Sequence, residues 1–111
     1  MKETVVLDSE LRECLEKIFE KTEGIEEVIL FGSRALGNAH RASDVDLALK
    51  GRLSFRQMLS LLDRLNERLS VPLVFDLIDY SGIENQALKE HIDLHGRTLF
   101  KRKGALRNTA A

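Results

Sequence analysis

The sequence predicts one α/β domain in which three or four short strands pack against helices. Three observations carry that prediction. The chain has 111 residues, the size of a single domain, and roughly two-thirds of its unfolded surface is expected to be buried. Segments with apolar residues at helical spacing alternate with short runs of strand character. No internal repeat, linker or low-complexity tract interrupts the alternation. Strand order and direction do not follow from the pattern alone.

The first helix runs from about Asp8 to Lys21. Leu11, Cys14, Leu15, Ile18 and Phe19 recur at helical spacing, with Asp8 or Ser9 as cap and Gly24 as stop. Cys14 sits among apolar residues, which predicts a buried thiol rather than a nucleophile. Ile25–Phe31 follows as a strand whose nearly continuous apolar character predicts burial on both faces. Gly32 to about Leu36 reads as a tight loop or the first turn of a short helix. Ser43–Leu49 is a second strand with a period of two: Asp44, Asp46 and Ala48 point one way, Val45, Leu47 and Leu49 the other.

Lys50-Gly51-Arg52 turns the chain into a helix from Ser54 to Leu69. Ser54 and Gln57 have capping-box spacing, and Phe55, Met58, Leu59, Leu62, Leu65 and Leu69 form the apolar stripe. Leu61 lies off that stripe and points to an interface. Val71-Pro72 enforces extended backbone before a third strand, Leu73–Ile78, with Asp79 as the turn residue at its end. Ser81-x-x-Glu84 predicts a second capping box, opening a final helix through His95 that Gly96 stops. Thr98-Leu99-Phe100 adds a short edge strand. The chain after it, from Lys101 on, has four basic residues and no acidic one, and reads as loose. The domain is therefore placed at residues 1–102, with 103–111 as a disordered basic tail.

Composition excludes several function classes. A formal net charge of -1 creates no global field toward nucleic acid or membrane, so neither is expected as a partner. No apolar run approaches the roughly 20 residues that span a bilayer. The N-terminus is too acidic, and its apolar stretch too short, for a secretory signal, so a cytoplasmic protein is expected. Cys14 is the one cysteine, which excludes an internal disulfide and any Cys-rich zinc site. His91 and His95 have the i, i+4 spacing of zinc ligands, but no Glu or Cys completes a site; packed or partly exposed histidines are expected. His40, in the loop before Asp44, is expected to face water.

The chemistry concentrates between Leu30 and Leu49. Asp44 and Asp46 share one strand face at a Cα spacing of roughly 6.5–7 Å. From there carboxylates can converge on two metal ions about 3.5–4 Å apart. Paired acids on a solvated strand face are the plainer reading of that pair alone. Asp76 adds a third carboxylate inside an apolar strand, where burial is costly unless it is paired or ligates a cation. The alternative is an edge strand whose Asp76 face meets water. If the second and third strands are neighbours, Asp76 completes a three-carboxylate set. Gly32-Ser33 supplies the anion side. Glycine admits a ligand close to the backbone, Ser33 adds a hydroxyl and Arg34 a permanent charge.

Gly32-Ser33, ten residues, then Asp44-Val45-Asp46 resembles the signature of the DNA polymerase beta-like nucleotidyltransferase superfamily. The fuller strings Gly32-Ser33-Arg34-Ala35-Leu36-Gly37 and Ser43-Asp44-Val45-Asp46-Leu47 are similar to its minimal members, the MNT-type proteins. The resemblance extends through Phe75-Asp76-Leu77-Ile78-Asp79 and His95-Gly96-Arg97-Thr98-Leu99-Phe100, so it covers most of residues 8–102. It implies a small nucleotidyltransferase fold with a mixed three- to four-stranded sheet. It also implies two Mg2+ ions on Asp44, Asp46 and Asp76, and a nucleoside triphosphate such as ATP held by Gly32, Ser33, Arg34, Gly37 and Ser43. The implied reaction moves AMP onto a hydroxyl and releases pyrophosphate, with Asp76 serving the incoming hydroxyl. At Leu36 and Asn38, where many members carry a basic and an acidic residue, the chain departs from the pattern; Arg34 and Arg41 are the charges at hand.

MNT-type proteins are typically paired with a small HEPN-domain protein, in many pairs a ribonuclease toxin that the MNT partner modifies on a tyrosine. An antitoxin of this kind is the leading expectation, with a partner or self-association completing the small site. A binding-only antitoxin and a transferase acting on a small molecule or an RNA end are the other readings.

Overall fold

A computed structural model describes residues 9–36, 44–68 and 74–103. Its elements are α1 (Ser9–Lys21), β1 (Ile25–Phe31), α2 (Ser33–Leu36), β2 (Val45–Gly51), α3 (Phe55–Arg68), β3 (Phe75–Asp79), a 3-10 turn (Tyr80–Gly82), α4 (Gln86–His95) and β4 (Arg97–Lys101). The strands make one sheet in the order β3-β2-β1-β4. β1 runs antiparallel to β2 and to β4, while β2 and β3 are parallel. Parallel neighbours need a long crossover, and α3 supplies it. The result is the mixed α/β sheet that the fold class and the resemblance lead one to expect. No helix among the described residues is long and apolar enough to cross a membrane.

Both faces of the sheet are covered, and the strand periods decide what each face receives. Val28, Ile29 and Leu30 of β1 are all buried, as an unbroken apolar run requires of a central strand. One face packs Val28, Leu30, Val45, Leu47, Leu49 and Phe75 beneath Leu11, Leu15 and Phe19 of α1 and Leu61 and Leu65 of α3. The other packs Ile29 and Ala48 against Ile92 of α4, with Ile83 and Leu88 alongside. The period of two in β2 therefore turns Asp46 toward the thinner, α4-covered face.

Four expectations are corrected. Cys14 is exposed. At about 100° per residue, it lies about 100° from the centre of the stripe made by Leu11, Leu15 and Phe19, so the thiol leaves the core. Leu61 is 1% exposed, whereas Phe55 is 78% and Leu59 49% exposed. The face α3 buries is Met58, Leu61, Leu62 and Leu65. Two overlapping stripes fit this leucine-rich helix, and only the packing of β2 and β3 selects between them.

Ser81 does not open the last helix. Its N–H and hydroxyl both donate to Asp79 Oδ1, at 3.1 and 3.0 Å, so Asp79, the last residue of β3, caps the 3-10 turn and engages the Ser81 hydroxyl there. Asn85 caps α4 instead, its Oδ1 accepting the Leu88 N–H at 3.0 Å. Finally, Lys101 belongs to β4, and Arg102 folds back onto backbone carbonyls rather than opening a loose tail. Leu69, Val71 and Pro72 and the tail from 104 onward lie outside the described residues.

Candidate active site

The three aspartates lie near one another where β2 and β3 begin. Asp46 and Asp76 are direct partners in the parallel register, on strands spaced about 4.8 Å apart. Asp44 immediately precedes β2, and the Val45 N–H donates to Val74 O at 2.8 Å, so the pairing continues to the strand mouth. Asp46 is half-buried, while Asp44 and Asp76 are exposed. Burial raises the Asp46 carboxyl above its ordinary value of 3.8, and the charges of Asp76 and Asp44 raise it further.

β3 is an edge strand and Asp76 meets water. Costly burial is therefore not what marks this residue. Its position opposite Asp46 is. Among the described residues, no three His, Cys, Asp or Glu side chains converge into a ready-made metal site. A groove of about 630 Å³ between α1 and β4, lined by Glu16, Glu20 and Leu99 to Lys103, includes none of the aspartates.

The edge strand is held from behind. The Phe75 N–H and C=O face away from β2, and Asn66 of α3 serves both: Oδ1 accepts from Phe75 N at 2.9 Å and Nδ2 donates to Phe75 O at 3.3 Å. One amide thus occupies edge groups next to Asp76. Asn66→Ala is expected to cost about 1–2 kcal/mol, read by urea denaturation. Asn66→Asp, which keeps the acceptor and loses the donor, should fall between the two.

Gly32 closes the site on its other side. Phe31 pairs with Asp46 across β1 and β2, and the next residue turns with φ +82. A Cβ at Gly32 would stand 2.5 Å from Asp46 Oδ2, so glycine is required both by the backbone and by the carboxylate behind it. Gly32→Ala should cost about 1–2 kcal/mol in backbone strain and displace Asp46. Thermal melting and cation binding, followed together, check both effects.

Three residues to which the sequence reading gave no role at this site hold the region. Gly32 N–H donates to His91 Nε2 at 3.1 Å. His91 also meets Phe31 edge-on, with ring centroids 6.3 Å apart, and His95 at 5.5 Å. Arg97 Nε donates to Ala35 O at 3.1 Å and pins α2. With Asn66, these contacts link segments that no local periodicity connects. His91 is half-buried and His95 exposed, the packed and partly exposed positions expected of them. Ser33 starts α2. Its side chain and that of Arg34, together with Gly37, Asn38, His40, Arg41 and Ser43, lie outside the described residues.

A chain of a toxin–antitoxin crystal structure with AMP-PNP superposes with a TM-score of 0.68 at 21% identity, covering 89% of this chain and 84% of that one. A chain of the tri-AMPylated Shewanella oneidensis HEPN toxin in complex with MNT antitoxin gives 0.65 at 17% identity, over 94% of this chain and 85% of that one. The MntA–HepT toxin–antitoxin structure gives 0.63 at 17% identity, over 93% and 85%. At these identities the likeness establishes the fold. No curated protein matches the sequence. The family model described as polymerase beta, nucleotidyltransferase, matches residues 13–105. Because that match takes in most of the sequence, aspartates included, the chain belongs to the polymerase beta nucleotidyltransferase family.

Proposed function

We propose that this protein transfers AMP from ATP to a hydroxyl of a HEPN-type partner, a tyrosine, and so acts as its antitoxin. The observation that carries the proposal is the register that sets Asp76 directly against Asp46, with Asp44 two residues earlier. The similarity to chains from a toxin–antitoxin complex with AMP-PNP and from an AMPylated HEPN toxin complex supports the choice of nucleotide and partner.

The donor set fits a hard divalent cation such as Mg2+. Carboxylate oxygens are its preferred ligands, and an Asp46 carboxyl raised first by burial and then by the charges of Asp76 and Asp44 marks a place where added positive charge is favoured. Asp44, Asp46 and Asp76 would hold the ions, which supply charge stabilisation at the α-phosphate and the leaving oxygen. The turn at Gly32-Ser33, with Arg34, Gly37 and Ser43 after it, would grip the triphosphate. The acceptor hydroxyl attacks the α-phosphorus in line. An O–P bond forms, the bond to pyrophosphate breaks, and Asp76 would take the hydroxyl proton.

The test is incubation of the purified chain with α-labelled ATP, magnesium and the active product of the neighbouring gene. Label on that partner is expected; none would overturn the proposal. One observation favours neutralisation by binding alone: Leu36 and Asn38 stand where many members of the family carry a basic and an acidic residue. Full neutralisation by an Asp44→Asn, Asp46→Asn double variant would decide for that reading.

A further inference from the structure

We propose that His91 is a positioning residue for the triphosphate, holding the Gly32 N–H and thereby fixing the turn beside Asp46 before nucleotide arrives. The inference rests on the nucleotide-transfer reading above and deepens it. The bond joins Nε2 to a backbone nitrogen 59 residues away at 3.1 Å. A ring nitrogen that accepts from an N–H carries no proton, so the imidazole proton sits on Nδ1.

Three bonds together leave the turn little freedom. His91 takes its N–H, the Leu36 N–H donates to Gly32 O at 3.2 Å, and Arg97 anchors Ala35 O. Rotation of the Phe31–Gly32 peptide would release the first bond and disturb a turn that has no room for even a Cβ beside Asp46 Oδ2. A turn ordered in advance loses less conformational freedom when phosphate binds. The predicted effect of His91 is therefore on nucleotide affinity, with the chemical step largely spared.

The ring also packs against Phe31, so a purely structural role must be separated from the acceptor role. His91→Phe keeps an aromatic ring and removes the acceptor, and His91→Gln removes the ring and keeps an acceptor. His91→Leu stands in should the Phe variant fail to fold. MgATP titration and steady-state transfer to the partner are measured on the full chain, alongside melting. The acceptor role predicts that His91→Phe raises Kd and KM about tenfold while kcat changes less than about threefold, and that His91→Gln stays within about threefold of the parent. The Gly32 amide resonance should move in His91→Phe and hold in His91→Gln, with or without nucleotide. Parent-like binding by His91→Phe, or a loss in His91→Gln as deep as in His91→Phe, would overturn the inference alone. Absence of MgATP binding by the parent would instead overturn the transfer reading, and this role with it.

Discussion

Asp46→Asn is expected to slow nucleotide transfer by about a thousandfold or more, and to raise the melting temperature when a chelator is present. The first effect follows from its place: Asp46 is the carboxylate directly opposed to Asp76 and backed by Gly32. Under the proposed reaction, loss of its charge would remove one anchor of the cations, and a thousandfold corresponds to about 4 kcal/mol of transition-state stabilisation. The second effect follows from linkage. Burial, then Asp76, then Asp44 raise the Asp46 carboxyl above 3.8. Between the unfolded and the raised folded value, the native chain holds a proton that the unfolded chain has released. Stability therefore falls as pH rises through that window, and the full penalty persists at neutral pH. Asparagine removes it, so the gain in melting temperature should be largest near pH 7 and shrink below the ordinary carboxylate range. Magnesium should raise the melting temperature of the parent and leave Asp46→Asn nearly unchanged. A variant with lost activity and no gain in chelator would mean that the carboxylates do not strain the metal-free fold.

The carboxylates were legible because two of them obey a local rule. A period of two fixes the face of Asp44 and Asp46 whatever the sheet does, and Val45, Leu47 and Leu49 entering the opposite core bears this out. Ser54 and Gln57 were legible for the same reason: their reciprocal bonds, 2.7 and 3.1 Å, span three residues. Asp76 was identified by its oddity in an apolar strand, yet what places it in the site is the β2–β3 register. That register is set by packing across the α3 crossover. His91 and Arg97 lay further out of reach, since their bonds cross 59 and 62 residues. The α3 stripe was right at Met58, Leu62 and Leu65 and missed at Phe55, Leu59 and Leu61 for a different reason. A helix with leucines at 59, 61, 62 and 65 satisfies more than one apolar face, and the tertiary fit alone decides that Leu61 goes in and Leu59 out.

Arg102→Ala is expected to destabilise the fold by about 3 kcal/mol, lowering the melting temperature of a domain this size by roughly 12–24 °C. Arg102 Nε donates to Ile25 O at 2.7 Å, and Nη2 reaches Phe19 O, Glu20 O and Thr22 O at 3.1, 3.2 and 3.1 Å. Phe19 and Glu20 lie in the last turn of α1, where carbonyls lack intrahelical donors and the helix dipole favours a cation. The guanidinium lies 5.3 Å from the Phe100 ring centroid, and the Arg102 N–H extends the β1–β4 pairing by donating to Glu26 O at 2.8 Å. One side chain thus ties the end of α1 to the start of β1 and the end of β4. A lysine is a single point donor without the planar fork, so Arg102→Lys should recover little of the loss. Urea denaturation of both variants checks this, and a loss below about 1 kcal/mol in Arg102→Ala would show the carbonyls to be equally well served by water. The same contacts change how the basic C-terminal run can be tested for a role with RNA. Truncation ahead of Lys101 removes the staple with the tail and should unfold the domain. Truncation from Gly104 leaves the staple in place, and unchanged partner labelling in that variant would separate the tail from the reaction.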